Sequence, residues 1–279
     1  MKKICILHAN CQGEPLEELL LLSEEFSSTY DIHQFTNYTR DHIPAELIAA
    51  CDLFIYQPLP AENWAELASD KIISRLKSKA RAIAFPSMFF KHYWPLWSNV
   101  RGFNYRDIFL DSLLDRDLSE SQVLHLFMNT RLTNIYDFKE IMDSSEQIER
   151  DKEQQTPVRY VDWVLENYRQ KPVFKTINHP NTELLIITAN TLLEELGMDR
   201  LPENKLENFP PPFPEFEQPI HPQVAEYLGL EFGGPEQRYH VYGAELTFEE
   251  YVMRYIKCRR NNIEDFIGFL MAAARMEKA

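Results

Sequence analysis

No stretch of this 279-residue chain approaches the roughly 18 consecutive apolar residues of a membrane-spanning helix, and the apolar run at its start is too short for a signal peptide. A cytoplasmic protein without an integral membrane segment is therefore expected. Positive charge is scarce, with 29 Lys and Arg against 43 Asp and Glu and a net charge of −14. Nucleic acids and anionic bilayers are bound by clustered Lys and Arg that displace counterions, so neither is an expected partner. A phosphate-bearing ligand must find a local basic patch. Cysteine is sparse too. Cys5, Cys11, Cys51 and Cys258 lie far apart with no CxxC spacing, which argues against a zinc site and a disulfide framework and for reduced thiols. Also missing are the GxxxxGK phosphate loop, GxGxxG, GxSxG and HExxH, which removes P-loop NTPases, common dinucleotide folds, ordinary α/β-hydrolases and zincins. His33, His42, His125, His221 and His240 have no metal-ligand spacing, so no metal is expected.

What the chain does have is alternation. Apolar runs at 3–8, 30–35, 52–57 and 80–85 read as strands, separated by helical patterns at 14–26, 44–50 and 61–78. Such spacing implies βαβ units and a parallel sheet. The expected fold class is α/β, one domain over 1–279, with a βαβ core at 1–95 and a mostly helical elaboration at 96–279. Helices are expected at 106–114, 119–129, 134–154, 158–170, 181–196, 224–228, 248–260 and 263–275. The helix at 134–154 is polar enough to be exposed, and 119–122 resembles a capping signature. Residues 173–177 are short and β-branched, a candidate fifth strand of the sheet. Seven prolines fall in 201–222, where Phe209, Phe213 and Phe216 favour an ordered, docked crossing.

The chemistry gathers at strand ends. In Leu7-His8-Ala9-Asn10-Cys11-Gln12-Gly13 a buried strand turns straight into a helix, so Cys11 stands just ahead of a helix amino terminus. Unpaired N–H groups and the positive dipole end there favour a thiolate; the alternative is that Cys11 is one more small buried residue. Gly13 gives the turn freedom and leaves the sulfur uncovered. Asn10, Cys11 and Gln12 follow strand one, Gln57 ends strand three, Ser87 follows strand four, and Asn178 and His179 follow 173–177. Parallel strands would open all of these loops on one edge. A thiol, an imidazole and several amides in one cleft suit acyl transfer: a nucleophile, a base and donors for an oxyanion. His179 precedes Pro180, which starts a helix, so it either projects at the junction or only contacts the adjacent loop. Gln57 either lines the cleft or caps the sheet edge. His92 lies among Phe89, Phe90, Tyr93, Trp94 and Trp97 and reads as core or pocket wall; His8 reads as a satisfied core histidine.

Asn10-Cys11-Gln12, Gln57-Pro58, the segment Phe85-Pro86-Ser87-Met88-Phe89-Phe90 and the late Asn178-His179-Pro180, in that order, resemble the WcbI-like family of polysaccharide-biosynthesis acetyltransferases, remote relatives of the SGNH hydrolases. The resemblance implies a flavodoxin- or SGNH-like parallel-sheet core. It implies coenzyme A or acetyl-CoA as acyl donor and a capsular or surface sugar as acceptor. Carried over by residue, Cys11 is the nucleophile or thioester-facing residue and His179 its base, with Asn10, Gln12 and Gln57 lining the site; Gly13, Ser87 and Asn178 join the candidate binding residues by their place at the strand ends. Ala9 stands where the family commonly has glycine, and no DxxH or GxND element names an acidic third member. An SGNH-type esterase and a non-catalytic carbohydrate or nucleotide-sugar binding protein are the alternative readings.

Overall fold

A computed structural model describes residues 2–100 and 102–276. They form two compact units, one from the chain up to Phe89 with Gln147–Leu165 and Asn178–Pro212, the other from Phe90–Glu146, Glu166–Ile177 and Phe213 onward.

The first unit is organised by strand β1 (Lys3–Ala9), in which Cys5 through Ala9 have no exposed surface. A strand buried on both faces reads as one continuous apolar run, as central strands of parallel sheets do. From β1 the chain passes through α1 (Gly13–Leu22) to β2 (Tyr30–Thr36), then through α2 (Ala45–Ala50) to β3 (Leu53–Tyr56), and later to β4 (Arg81–Ala84). All pairings are parallel and the order is β2-β1-β3-β4. Helix α1 buries Leu16, Leu19 and Leu20 and packs against α3 (Thr182–Glu195), whose apolar face carries Leu185, Ala189 and Leu192. Ile6 and Phe54 of the sheet pack with Ile43, Ile48, Cys51 and Ile72. Each such buried side chain contributes about 1.5–3 kcal/mol relative to exposure.

Local chemistry moved several expected boundaries. The helix expected at 14–26 stops at Leu22 because Ser23 is extended and caps a new helix, Glu24–Thr29, its side chain accepting the Phe26 N–H. The helix expected at 61–78 is broken into Ala61–Trp64, a 3-10 turn and Ser69–Ile73. Ser69 is drawn to Leu59 instead: its N–H donates to the Leu59 carbonyl at 3.1 Å, and its Oγ accepts the Leu59 N–H at 2.9 Å. The candidate fifth strand exists as Phe174–Thr176 in the second unit but is not part of the four-stranded sheet. Its neighbourhood bonds elsewhere, the Lys175 carbonyl accepting from Gln218 and the Ile177 carbonyl from Phe90.

The second unit is mostly helical. Phe248–Arg260 packs on Glu120–Asn129 and Ile108–Leu114, and the capping box of Ser119 and Gln122 is formed. One hairpin, Tyr239–Val241 with Ala244–Leu246, was not expected: each strand alternates apolar, polar, apolar, but over only three residues, too short a run to mark a strand. Its two-residue turn places both Tyr242 and Gly243 at positive φ, the hairpin-favoured geometry. In the Pro-rich segment, Leu201 is buried in the first unit with its N–H on Asn190 Oδ1, and Phe216 is buried in the second with Glu217 bonded to the His240 carbonyl. The helix Phe138–Gln154 is not simply exposed: Ser145, Glu149 and Glu153 are buried. Among the described residues no helix is long and apolar enough to cross a membrane.

Candidate active site at the carboxyl edge of the sheet

In an order of β2-β1-β3-β4 the crossovers leave β1 in opposite directions, so the crevice beyond the ends of β1 and β3 is the position where such sheets bind ligands. The residues there are held by their own amides. After Ala9, Asn10 makes an Asx turn, its Oδ1 accepting the Gln12 N–H at 2.9 Å and its carbonyl accepting the Gly13 N–H at 2.9 Å. The chain thereby reverses into α1 with Cys11 at the turn. Gly13 serves this turn differently from the expectation. It is helical rather than at positive φ, and glycine is needed because a Cβ would stand 3.0 Å from Ala9 Cβ and 3.1 Å from Gln34 Nε2.

Gln12 and Gln57 are completely buried, at 0% and 1% exposure. Gln12 Nε2 donates to the Met88 and Asn178 carbonyls, both at 2.8 Å, while its Oε1 accepts from Met88 N–H at 3.2 Å and Gln57 Nε2 at 3.1 Å. Gln57 Oε1 accepts the Asn10 N–H at 2.8 Å and Asn37 Nδ2 at 3.4 Å, and its Nε2 also reaches Asn10 Oδ1 at 3.3 Å. Two amides thus join the loops after all four strands, through residues 10–12, 37, 57 and 88, with residue 178. An amide with two donors and two acceptors engaged holds loops in place rather than offering bonds to a ligand.

Asn10, Cys11, Ser87, Asn178 and His179 are only half-buried and present surface. Asn178 Nδ2 donates to Cys11 Sγ at 3.3 Å, so the loop carrying His179 reaches the thiol. That N–H and the start of α1 both favour negative charge on sulfur. Burial pushes Cys5 well up, raises Cys51, and pushes Cys258 up to about 11. Past His179 and Pro180, Asn181 caps α3, accepting the Leu184 N–H at 3.1 Å.

His8 is buried but not satisfied: among the described residues neither ring nitrogen has a hydrogen-bond partner, and burial lowers its pKa to about 4. In the second unit His92 stacks on Phe90 at 4.7 Å and is likewise lowered to about 4 by burial, a core residue. Two features of the first unit went unread in the sequence. Asn37 is a polar residue at a strand end, the same signal that marked Gln57. Glu149 falls at helical spacing on the face that buries Phe138 and Met142, with Lys152 at i+3, and that carboxylate in an apolar stripe was the signal to read. Among the described residues no group of three or more His, Cys, Asp or Glu could hold a metal.

Fold and site together define a parallel α/β protein with a thiol at a helix start, a side-chain amide on its sulfur and a histidine next to that amide. The model of the family described as polysaccharide biosynthesis enzyme WcbI matches residues 4–201, and the chain belongs to that family. A solved structure of WcbI, described as a novel polysaccharide biosynthesis enzyme, native protein without disulfide bond between coenzyme A and a cysteine, superposes with a TM-score of 0.76. It is 18% identical, and the match covers 99% of this chain and 96% of that one, a likeness of fold. No curated protein matches the chain.

Proposed function

We propose that this protein is an acetyltransferase that moves an acetyl group from coenzyme A to a hydroxyl of a surface or capsular polysaccharide sugar. The observation that carries the reading is the Asn178 Nδ2 to Cys11 Sγ hydrogen bond at the start of α1, with His179 next along the chain. Membership of a polysaccharide biosynthesis family supports the acceptor class, and the solved WcbI described with coenzyme A and a cysteine supports the donor. The Cys11 thiolate attacks the acetyl carbonyl, a carbon–sulfur bond to Cys11 forms, and the bond to the coenzyme A sulfur breaks with that sulfur taking the proton held by His179. His179 then accepts the proton of the sugar hydroxyl as its oxygen attacks the acetyl carbon, and Cys11 leaves as thiolate. The Gln12 and Gly13 N–H groups are already given to Asn10, so a donor to the developing oxyanion comes from elsewhere in these loops. Asn10, Ser87 and Asn178 present surface beside Cys11, and Gln12, Gly13 and Gln57 hold its loops.

Binding and chemistry are tested separately. Coenzyme A at a hundredfold excess over Kd adds about 2.7 kcal/mol of native-state stability, read as a raised Tm. No shift at millimolar coenzyme A leaves the esterase and binding-protein readings ahead. His179→Ala should lower kcat by about 10²–10⁴-fold with coenzyme A affinity nearly unchanged. Cys11→Ala should cost a similar factor, and the double variant little more, because groups serving one step are non-additive. A Cys11→Ala protein that keeps most activity while His179→Ala does not assigns direct transfer to the hydroxyl. Two folded, fully active single variants remove the site.

A further inference from the structure

The segment at residues 87–89 is gripped by more than Gln12. The Ser87 carbonyl accepts from Lys152 Nζ at 3.1 Å, Met88 gives its N–H and carbonyl to Gln12, and the Phe89 N–H donates to Glu149 Oε2 at 3.1 Å. Each of the two peptide bonds therefore has one polar edge on Gln12 and the other on Lys152 or Glu149. In a trans peptide those edges point in opposite directions, and none of the described peptides is cis. The segment is held between Gln12 on one side and Glu149 with Lys152 on the other.

We infer that Glu149, paired with Lys152, is a positioning residue for the Cys11 thiol; this rests on the reading of Cys11 as the reacting group. Glu149 is 6% exposed and fully engaged: Lys152 Nζ lies 2.6 Å from Oε1, and Tyr160 OH donates to Oε2 at 2.5 Å. Lys152 Nζ also sits 4.7 Å from the centre of the Phe89 ring. Burying a carboxylate beside a half-buried ammonium is a poor way to gain stability, since apolar residues of similar volume do as well or better. What a carboxylate and an ammonium give that leucines do not is a fixed bond to backbone. Here the backbone is the segment that seats Gln12. Gln12 Nε2 in turn holds the Asn178 carbonyl at 2.8 Å, and Asn178 Nδ2 is the donor on Cys11 Sγ. Loosening residues 87–89 releases Gln12, then Asn178, and removes an N–H from the sulfur.

The test measures the alkylation rate of Cys11 against pH, with hydrogen exchange at the Met88 and Phe89 amides. In Glu149→Gln the apparent thiol pKa should rise by about 0.5–1 unit and the rate at pH 7.5 fall about three- to tenfold, as loss of one donor to the charged form requires. Met88 should exchange faster although its own partner, Gln12, is untouched. Lys152→Met should move the same readouts in the same direction by less. A folded Glu149→Gln protein with a lower Tm but a wild-type Cys11 pH profile overturns the proposal. Where Glu149→Gln does not fold by circular dichroism, Lys152→Met decides by the same comparison. If wild-type Cys11 shows no titrating reactivity, the reading of the thiol fails instead, and the two exchange rates still decide whether Glu149 holds the segment.

Discussion

Three buried histidines make this protein sensitive to mild acid. His8, His92 and His221 are at most 8% exposed, and burial lowers each pKa from 6.5 to about 4. Above pH 6.5 all three are neutral whether the chain is folded or not, and their contribution to stability is complete. As the pH falls below 6.5 the unfolded imidazoles take up protons and the native ones do not, so stability is lost progressively down to about pH 4. Two carboxyls work the other way, since burial raises Glu17 and, by far more, Asp107. Burial pushes the Asp107 carboxyl up to about 7, against the pull of the Leu110 and Phe109 N–H groups, so the native state holds a proton there that the unfolded state releases. The three histidines and Asp107 together take up a net two protons on unfolding in this window. At about 1.36 kcal/mol per unit and proton, stability falls by roughly 2.7 kcal/mol per pH unit, or roughly 7 kcal/mol from pH 6.5 to 4. A domain of ordinary stability, about 5–15 kcal/mol, has little left at the lower end. Urea titrations at pH 7, 6 and 5 followed by circular dichroism measure the slope. His92→Phe, which keeps the stacking on Phe90, should roughly halve it. An unfolding free energy that is flat between pH 7 and 5 refutes the reasoning.

Timed alkylation of the folded protein with mass-spectrometric readout should label Cys11 at least about tenfold faster than Cys5, Cys51 or Cys258, since burial raises the other three thiols and the thiolate is the nucleophile. Equal rates would count against thiolate stabilisation by Asn178 and α1. Gly13→Ala should destabilise by about 1–3 kcal/mol, the usual cost of overpacking, because the new methyl meets Ala9 Cβ at 3.0 Å and the Gln34 side chain at 3.1 Å. A Tm unchanged from wild type would show that the neighbours give way freely.

The parallel sheet and the family were legible because the signals are local. An apolar run that stops at a polar residue marks each strand end, and the strand-end residues Asn10, Cys11, Gln12, Gln57 and Ser87 follow from that punctuation alone. Two kinds of feature were not legible. Residues 173–177 have strand composition, but whether a short β-branched run joins a given sheet depends on which neighbours take its backbone, and Gln218 and Phe90 do. Glu149 lies seven residues after Met142 and eleven after Phe138, on the buried face of its helix, and Lys152 follows it at i+3; what the sequence does not supply is the meeting of Tyr160 and the Phe89 amide at that one carboxylate.

Position 12 admits almost no replacement. Its side chain must offer two donor hydrogens at Met88 and Asn178 and an oxygen that accepts from Met88 and Gln57, all at the reach of a three-carbon amide. Glutamate turns both donors into oxygens facing carbonyl oxygens, lysine lacks an acceptor, and asparagine is a methylene short. The same holds in time as well as in descent. Hydrolysis of this single amide to an acid, a slow spontaneous ageing reaction, would set like against like at two 2.8 Å contacts and unfasten several loops at once. Its complete burial keeps water, the other reactant, away.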